Sequence, residues 1–295
     1  VRVGLELFNL ARAIDARTIF VVGTGRNVGK TTTLCALYEA ACDEGASVAL
    51  ASVGGDGEGG REVLTAKPRL WLRPPTVLAT ARALLPRSPA VQILKLSSLR
   101  SPAGGVLYAR IQVSGFYELA GPPTASGVRE VVEELLTRSQ IAIVDGAVDR
   151  VAALGGTDGA IVVAGGAAGA TTLDESVEEI RALVARLRVP AFDPAAPSIF
   201  VDGALTADIA AAYIVRGEAS QIVVRDPTQI ALSGRPASET LARLKIRCRR
   251  PLRVVAATVA SIGPERAFEP VAFAKAVAAA TRLPTFDVYR SARAA

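Results

Sequence analysis

Residues 18–33 read TIFVVGTGRNVGKTTT. The first six form a short, β-branched, apolar run, and the sequence from Lys30 to about Glu44 has helical character, ended by Gly45. Between run and helix lie Gly23, Thr24, Gly25, Arg26, Asn27, Val28 and Gly29, followed by Lys30, Thr31 and Thr32. Glycines at such a strand-to-helix turn let successive backbone N–H groups curl inward, and the helix N-terminus adds partial positive charge. The segment is therefore predicted to cradle phosphate groups. On this reading Lys30 reaches the β- and γ-phosphates as a catalytic cation, and the Thr31 hydroxyl ligates Mg²⁺. The competing reading is a tight strand-to-helix turn with an incidental lysine and threonine.

Working outward, strand-like and helix-like segments alternate. Ser47–Val53 reads as a second strand, and Gly54-Gly-Asp-Gly-Glu-Gly-Gly60 follows it as a glycine-dense loop carrying Asp56 and Glu58. Residues 75–86 are predicted to be a helix opened by Pro74 and Pro75. Strands are expected at 91–96 and 106–113, a helix at 126–138, and the strand 140–145 ending in Asp145. Strands at 160–164, 198–202, 221–225, 229–232, 253–259 and 284–288 then alternate with helices at 172–188, 205–215, 236–244 and 268–281. This alternation argues an α/β fold: a doubly wound, mostly parallel sheet with helices on both faces. We divide the chain into a nucleotide-binding core, 1–170, and a C-terminal α/β part, 171–295, that completes the sheet or forms a small lobe. The glycine-rich stretch between 155 and 169 is the weakest point for a boundary.

Composition narrows the chemistry. The 295 residues contain no histidine, which removes imidazole bases, Ser-His-Asp and Cys-His arrangements and His-ligated zinc. The mean hydropathy of +0.34 fits strands buried on both faces, because no apolar stretch is long enough to span a membrane. The net charge is +6, yet lysine occurs only at positions 30, 67, 95, 245 and 275. That arginine bias reads as a coding preference rather than nucleic-acid binding. The densest basic run, Lys245 to Arg253, lacks interleaved aromatics and reads as a solvated helix end before a strand. The cysteines form no metal-ligand spacing: Cys35 and Cys42 fall on an apolar helix face and are expected to be reduced. No signal peptide precedes the first strand, so the cytoplasm is the expected location.

The loop departs from the usual G-x-x-x-x-G-K-[ST] spacing, since Thr24 stands where the first glycine belongs and Gly23 lies one residue earlier. With G-T at the front and V-G-K-T at the back it resembles dethiobiotin synthetase and the cobyrinate amide synthases, within the larger P-loop set that includes the MinD-like ATPases. The extra lysine of the MinD-like members corresponds here to Gly25, which favours the synthetase-like branch. The segment Ile141-Ala-Ile-Val-Asp145-Gly146-Ala147 is similar to the E-G-A-G-G segment of dethiobiotin synthetase. The resemblance implies that Asp145 holds Mg²⁺ directly or through water; a plain strand cap is the alternative. It also makes Asp56 a second carboxylate on the Mg²⁺ side or the group that orients the attacking nucleophile; a flexible surface loop is the alternative. Asp149 and Arg150 follow as an accessory acid and a phosphate or interface contact, or as a solvated loop.

The synthetase has a lysine-proline pair directly after its second strand, whereas here Lys67-Pro68 stands more than ten residues later. Cobyrinate-type amide chemistry would need free ammonia or a partner. A narrower resemblance joins G-T-G-R-N-V-G-K-T-T-T, S-V-G-G-D-G-E, V-D-G-A-V-D-R and L-P-T-F-D-V to bacterial P-loop proteins encoded with adenosylcobalamin-dependent lysine 5,6-aminomutases. It implies the ATPase subunit of a reactivating factor, with the aminomutase or a second reactivase subunit as protein partner. Three functions follow as expectations: an Mg²⁺-ATPase working on a partner, an ATP-dependent ligase or kinase activating a carboxylate or carbamate, and a nucleotide-binding regulator with little turnover. ATP is favoured by resemblance, no N-K-x-D motif follows a strand, and a homodimer is plausible for this branch.

Overall fold

A computed structural model describes residues 3–54, 69–86, 88–146, 154, 159–217, 220–232 and 234–289. The apolar run Thr18–Gly23 becomes strand β1, all six of its residues buried. Around it the chain forms α1 Val3–Arg12, α2 Lys30–Asp43, β2 Val48–Ser52, β3 Leu70–Leu72, β4 Val77–Ala81, β5 Val91–Ser101, β6 Gly104–Ile111 and β7 Gly115–Tyr117. There follow α3 Ala125–Leu136, β8 Ile141–Asp145, β9 Ala160–Gly166, α4 Leu173–Leu187, β10 Ser198–Phe200, α5 Ala207–Val215 and β11 Gln221–Val224. The last elements are α6 Gly234–Arg243, β12 Ile246–Cys248, β13 Arg253–Ala260, α7 Pro270–Thr281 and β14 Thr285–Asp287.

Nine strands make the main sheet in the order β14-β13-β9-β1-β8-β2-β4-β6-β5. From β14 to β4 every pairing is parallel, and the β6–β5 hairpin adds an antiparallel edge. Side chains alternate across β1 as strand geometry requires. Ile19 and Val21 enter a core with Leu7 and Phe8 of α1 and Leu34 and Leu37 of α2. Phe20 and Val22 enter the opposite core with residues of α3, α4 and α7, including Val131, Ile180 and Phe273. The sheet is thus covered on both faces, and the fold is the α/β, mostly parallel architecture expected. Among the described residues, no helix is long and apolar enough to cross a membrane.

Several local readings change. Helix α1 has no counterpart in the sequence reading, although its buried Val3, Leu7, Phe8 and Ala11 lie at helical spacing. Gly4 permits its close crossing with α2, since a Cβ there would lie 1.9 Å from the Ala36 carbonyl oxygen. Residues 75–86 are not a helix: β4 occupies 77–81 and only Arg82–Leu84 makes a single 3₁₀ turn. Alanine and leucine favour a helix locally, but β4 is wholly buried and hydrogen-bonds between β2 and β6, and that pairing overrides propensity. The basic run is likewise not a solvated helix end. It contains β12, whose Cys248 is 0% exposed in a small third core with Ile222 and Val224.

Strands β10, β11 and β12 form a separate three-stranded parallel sheet, whereas β13 and β14 return to the main one. Residues 229–232 form no strand; a 3₁₀ turn at Pro227–Gln229 and a single bridge from Leu205 to Ile230 take its place. The glycines read as a weak boundary lie partly in the sheet. Gly165 and Gly166 belong to β9, and a Cβ at Gly165 would sit 2.2 Å from Ile180. The stretch 155–158 lies outside the described residues.

Candidate functional site

The loop from Gly23 to Lys30 leaves the C-terminal end of β1 and enters α2. Thr24 N–H donates to the Ala164 carbonyl at 3.0 Å, so the loop starts as an extension of the β1–β9 ladder. Val28 is 2% exposed and anchors the crest. On either side of it Asn27 (φ 57°) and Gly29 (φ 84°) take left-handed backbone conformations, which asparagine tolerates and glycine adopts freely. A Cβ on Gly29 would also lie 3.0 Å from the Ala260 Cβ and 3.3 Å from Val288. The loop therefore rests on residues from the ends of β13 and β14.

Four other helices, α3, α4, α5 and α7, open on a threonine or glutamate side chain that caps backbone N–H groups. Helix α2 opens on Gly29 with no side-chain cap and no acidic residue in its first turn. Its N-terminal amides and dipole are therefore left to act on an anion. Lys30 Nζ donates back to the Gly25 carbonyl, so the ammonium bridges the two arms of the loop. Gly23 makes room for that lysine, because a Cβ there would lie 2.8 Å from Lys30 Cγ and Cδ. Thr31 and Thr32 are half-buried on the first turn of α2, and Arg26 is exposed.

Asp145 ends β8, the strand beside β1, in register with Val21 on one side and Ser52 on the other. Gly146 N–H donates to the Val21 carbonyl at 2.8 Å and Val53 N–H to the Asp145 carbonyl at 2.9 Å, which fix the backbone on both sides of the acid. The charge of Asp145 is felt at Cys35, one turn after Thr31 on α2. Burial first, then Glu39 and Asp145, push that thiol up to about 11. Thr31, just after β1, and Asp145, ending β8, thus both lie at the C-terminal side of two neighbouring parallel strands. A hydroxyl and a carboxylate, completed by phosphate and water oxygens, suit the hard, oxygen-seeking Mg²⁺. Among the described residues no group of three His, Cys, Asp or Glu is placed to hold a metal. Asp56, Glu58, Lys67-Pro68, Asp149 and Arg150 lie outside the described residues.

Beside the loop lies a cleft of ≈ 470 Å³ that the sequence reading missed. Thr24–Asn27 form one wall, residues 167–171 after β9 another, and Pro264–Arg266 after β13 a third, with Glu179 of α4 also lining it. Arg266 Nη1 donates to the Thr171 carbonyl, linking two of the walls. The signals were present as Gly165–Gly169 and Gly263-Pro264, glycine-rich breaks after apolar runs. They mark strand exits at the same edge of a parallel sheet, where α/β proteins bind ligands.

Residues 9–57 match a family model described as a domain of unknown function, the DUF1611_C P-loop domain. The match runs from α1 through β1, the loop and α2 to the residues just after β2. No curated protein and no solved structure matches the chain. The match, with the strand–loop–helix geometry above, supports a P-loop-like domain and suggests nucleotide binding.

Proposed function

We propose that the chain is an Mg²⁺-dependent ATPase that couples hydrolysis to work on a protein partner. The phosphate end of the nucleotide lies in the Gly23–Lys30 loop. Its amides and the Lys30 ammonium meet the β- and γ-phosphate oxygens and stabilise the charge that develops on them during transfer. Thr31 and Asp145 hold the metal, which supplies charge neutralisation when bound. Asp56 orients the attacking water. The observation that carries this reading is the uncapped, acid-free start of α2 joined to a lysine that reaches back across its own loop.

A partner-directed role draws support from the surface. Trp71 and Phe116, 52% and 64% exposed, stack edge-to-face at 5.0 Å on the two-stranded β3–β7 sheet. Ile93 and Leu96 are exposed on the edge strand β5. Large apolar side chains displayed in this way are typical of protein contacts. The resemblance to aminomutase-associated P-loop proteins points to a cobalamin-dependent aminomutase or a second reactivase subunit as partner. A second copy of this chain is the other protein the surface would suit. The reading assigns no role to nucleic acid and places the chain in the cytoplasm.

The test is Mg²⁺-ATP hydrolysis by the purified chain, alone, with small acids and amines, and with the aminomutase. Stimulation only by the protein is the expected result. Dependence on a small acid or amine would make the chain a ligase or kinase, and binding without turnover under every condition would make it a regulator. Lys30→Ala is expected to abolish hydrolysis with an unchanged far-UV circular dichroism spectrum; near-wild-type turnover in that variant would remove the site.

A further inference from the structure

We infer that Glu179 is the base-selecting residue of the cleft, accepting a hydrogen bond from the 6-amino group of adenine. This rests on the nucleotide reading above and goes further by naming the group that distinguishes one base from another. With phosphates in the loop, the nucleoside must leave past Thr24–Asn27, and the cleft opens directly from those residues. Its walls there are the small residues Ala167–Ala170 and Pro264, which leave room for a flat ring. Glu179 lies two helical turns beyond Thr172, the N-cap of α4, hence about 10 Å further along. The cation-rich end of the path is therefore the phosphate loop, with Arg26 and Lys30, and the side wall beyond it carries a carboxylate.

Of the other acids nearby, Glu265 is exposed on the Pro264–Arg266 wall, and the two next to Glu179 on α4 have partners. Glu175 takes the backbone N–H of Thr171 at 2.6 Å and its hydroxyl at 2.5 Å. Glu178 pairs with Arg181 at 2.7 Å. Glu179 makes no hydrogen bond or ion pair among the described residues. It is half-buried, and burial together with the neighbouring Glu175 charge raises its pKa. A partly desolvated carboxylate with a like charge beside it and no hydrogen-bond or ion-pair partner of its own is costly unless a ligand supplies N–H donors. Adenine presents an amine at position 6, whereas guanine presents a carbonyl oxygen that would face the carboxylate acceptor to acceptor.

The experiment measures binding of ATP, purine riboside triphosphate (hydrogen at position 6) and GTP to the wild-type chain, Glu179→Ala, Glu179→Gln and Lys30→Ala. The wild type is expected to hold ATP about 10- to 100-fold more tightly than the deamino analogue, the worth of one hydrogen bond to a charged acceptor. Glu179→Ala is expected to bring that ratio to about one, and Glu179→Gln, whose carbonyl still accepts, to retain part of it. A ratio unchanged in Glu179→Ala, or GTP held more tightly than ATP, overturns the assignment of Glu179 while leaving the phosphate site standing. Failure of every triphosphate to bind the wild type, or binding indifferent to Lys30→Ala, overturns the nucleotide reading and this inference with it.

Discussion

Thr33 and Thr258 offer a direct test of how α2 is held to the sheet. Their hydroxyls meet at 2.9 Å, joining the first turn of α2 to β13 across 225 residues of sequence. Thr33 is 0% and Thr258 1% exposed, so neither hydroxyl can turn to water. Thr33→Val keeps shape and volume but strands the Thr258 hydroxyl, and Thr258→Val strands that of Thr33. Each single change is expected to cost about 1–3 kcal/mol, the penalty for a buried polar group left without its partner. The double valine variant removes both groups and should cost less than either single, giving a coupling energy larger than the costlier single loss. Urea unfolding followed by circular dichroism measures all four stabilities. A double variant whose loss equals the sum of the singles would show that the two hydroxyls do not depend on each other, and the reasoning would fail.

Gly23→Ala is expected to leave the chain folded but to displace Lys30, whose Cγ and Cδ lie 2.8 Å from the new Cβ. ATP turnover should then fall about 100-fold, as expected for misplacing a catalytic group by an ångström; a steady-state assay with full activity would contradict it. Asp145→Asn should raise the Mg²⁺ concentration needed for half-maximal turnover, so an unchanged metal titration would move that ligand elsewhere. The thiols of Cys35 and Cys248 are raised to about 11 by burial, and that of Cys42 is also raised. At pH 8 a thiol of pKa 11 is only about 0.1% thiolate, so Ellman's reagent should label the folded chain far more slowly than the unfolded one. Because these pKa values lie above the ordinary 9.0, the protonated thiols favour the folded state below pH 9, and that contribution should be lost as pH rises towards 11. A midpoint of urea unfolding flat across that window would contradict it.

The phosphate loop was legible because its parts are contiguous: an apolar run, spaced glycines, then lysine and threonine within sixteen residues. Strand β8 and its terminal Asp145 were legible for the same reason. Segment 77–81 misled because Val-Leu-Ala-Thr-Ala suits either state locally, and only its two strand neighbours decide. Helix α1 carried a readable apolar face but no capping signal to mark its start. The cleft was harder still. Thr24–Asn27, Ala167–Thr171, Glu179 and Pro264–Arg266 come from three distant parts of the chain. They meet only because β1, β9 and β13 are parallel neighbours whose exits share one edge.

The support of Gly29 by Ala260 and Val288 bears on the order of events during synthesis. The loop and its lysine leave the ribosome before the surface they rest on, which follows more than two hundred residues later. Helices α1 and α2 can pack early, yet β1 has no partner strand until β8 and β9 emerge, and the glycine turn has no completed seat until β13 and the residue after β14 follow. Capture of nucleotide would then be a late event in translation, and stalled chains lacking that seat would not compete for the cell's ATP.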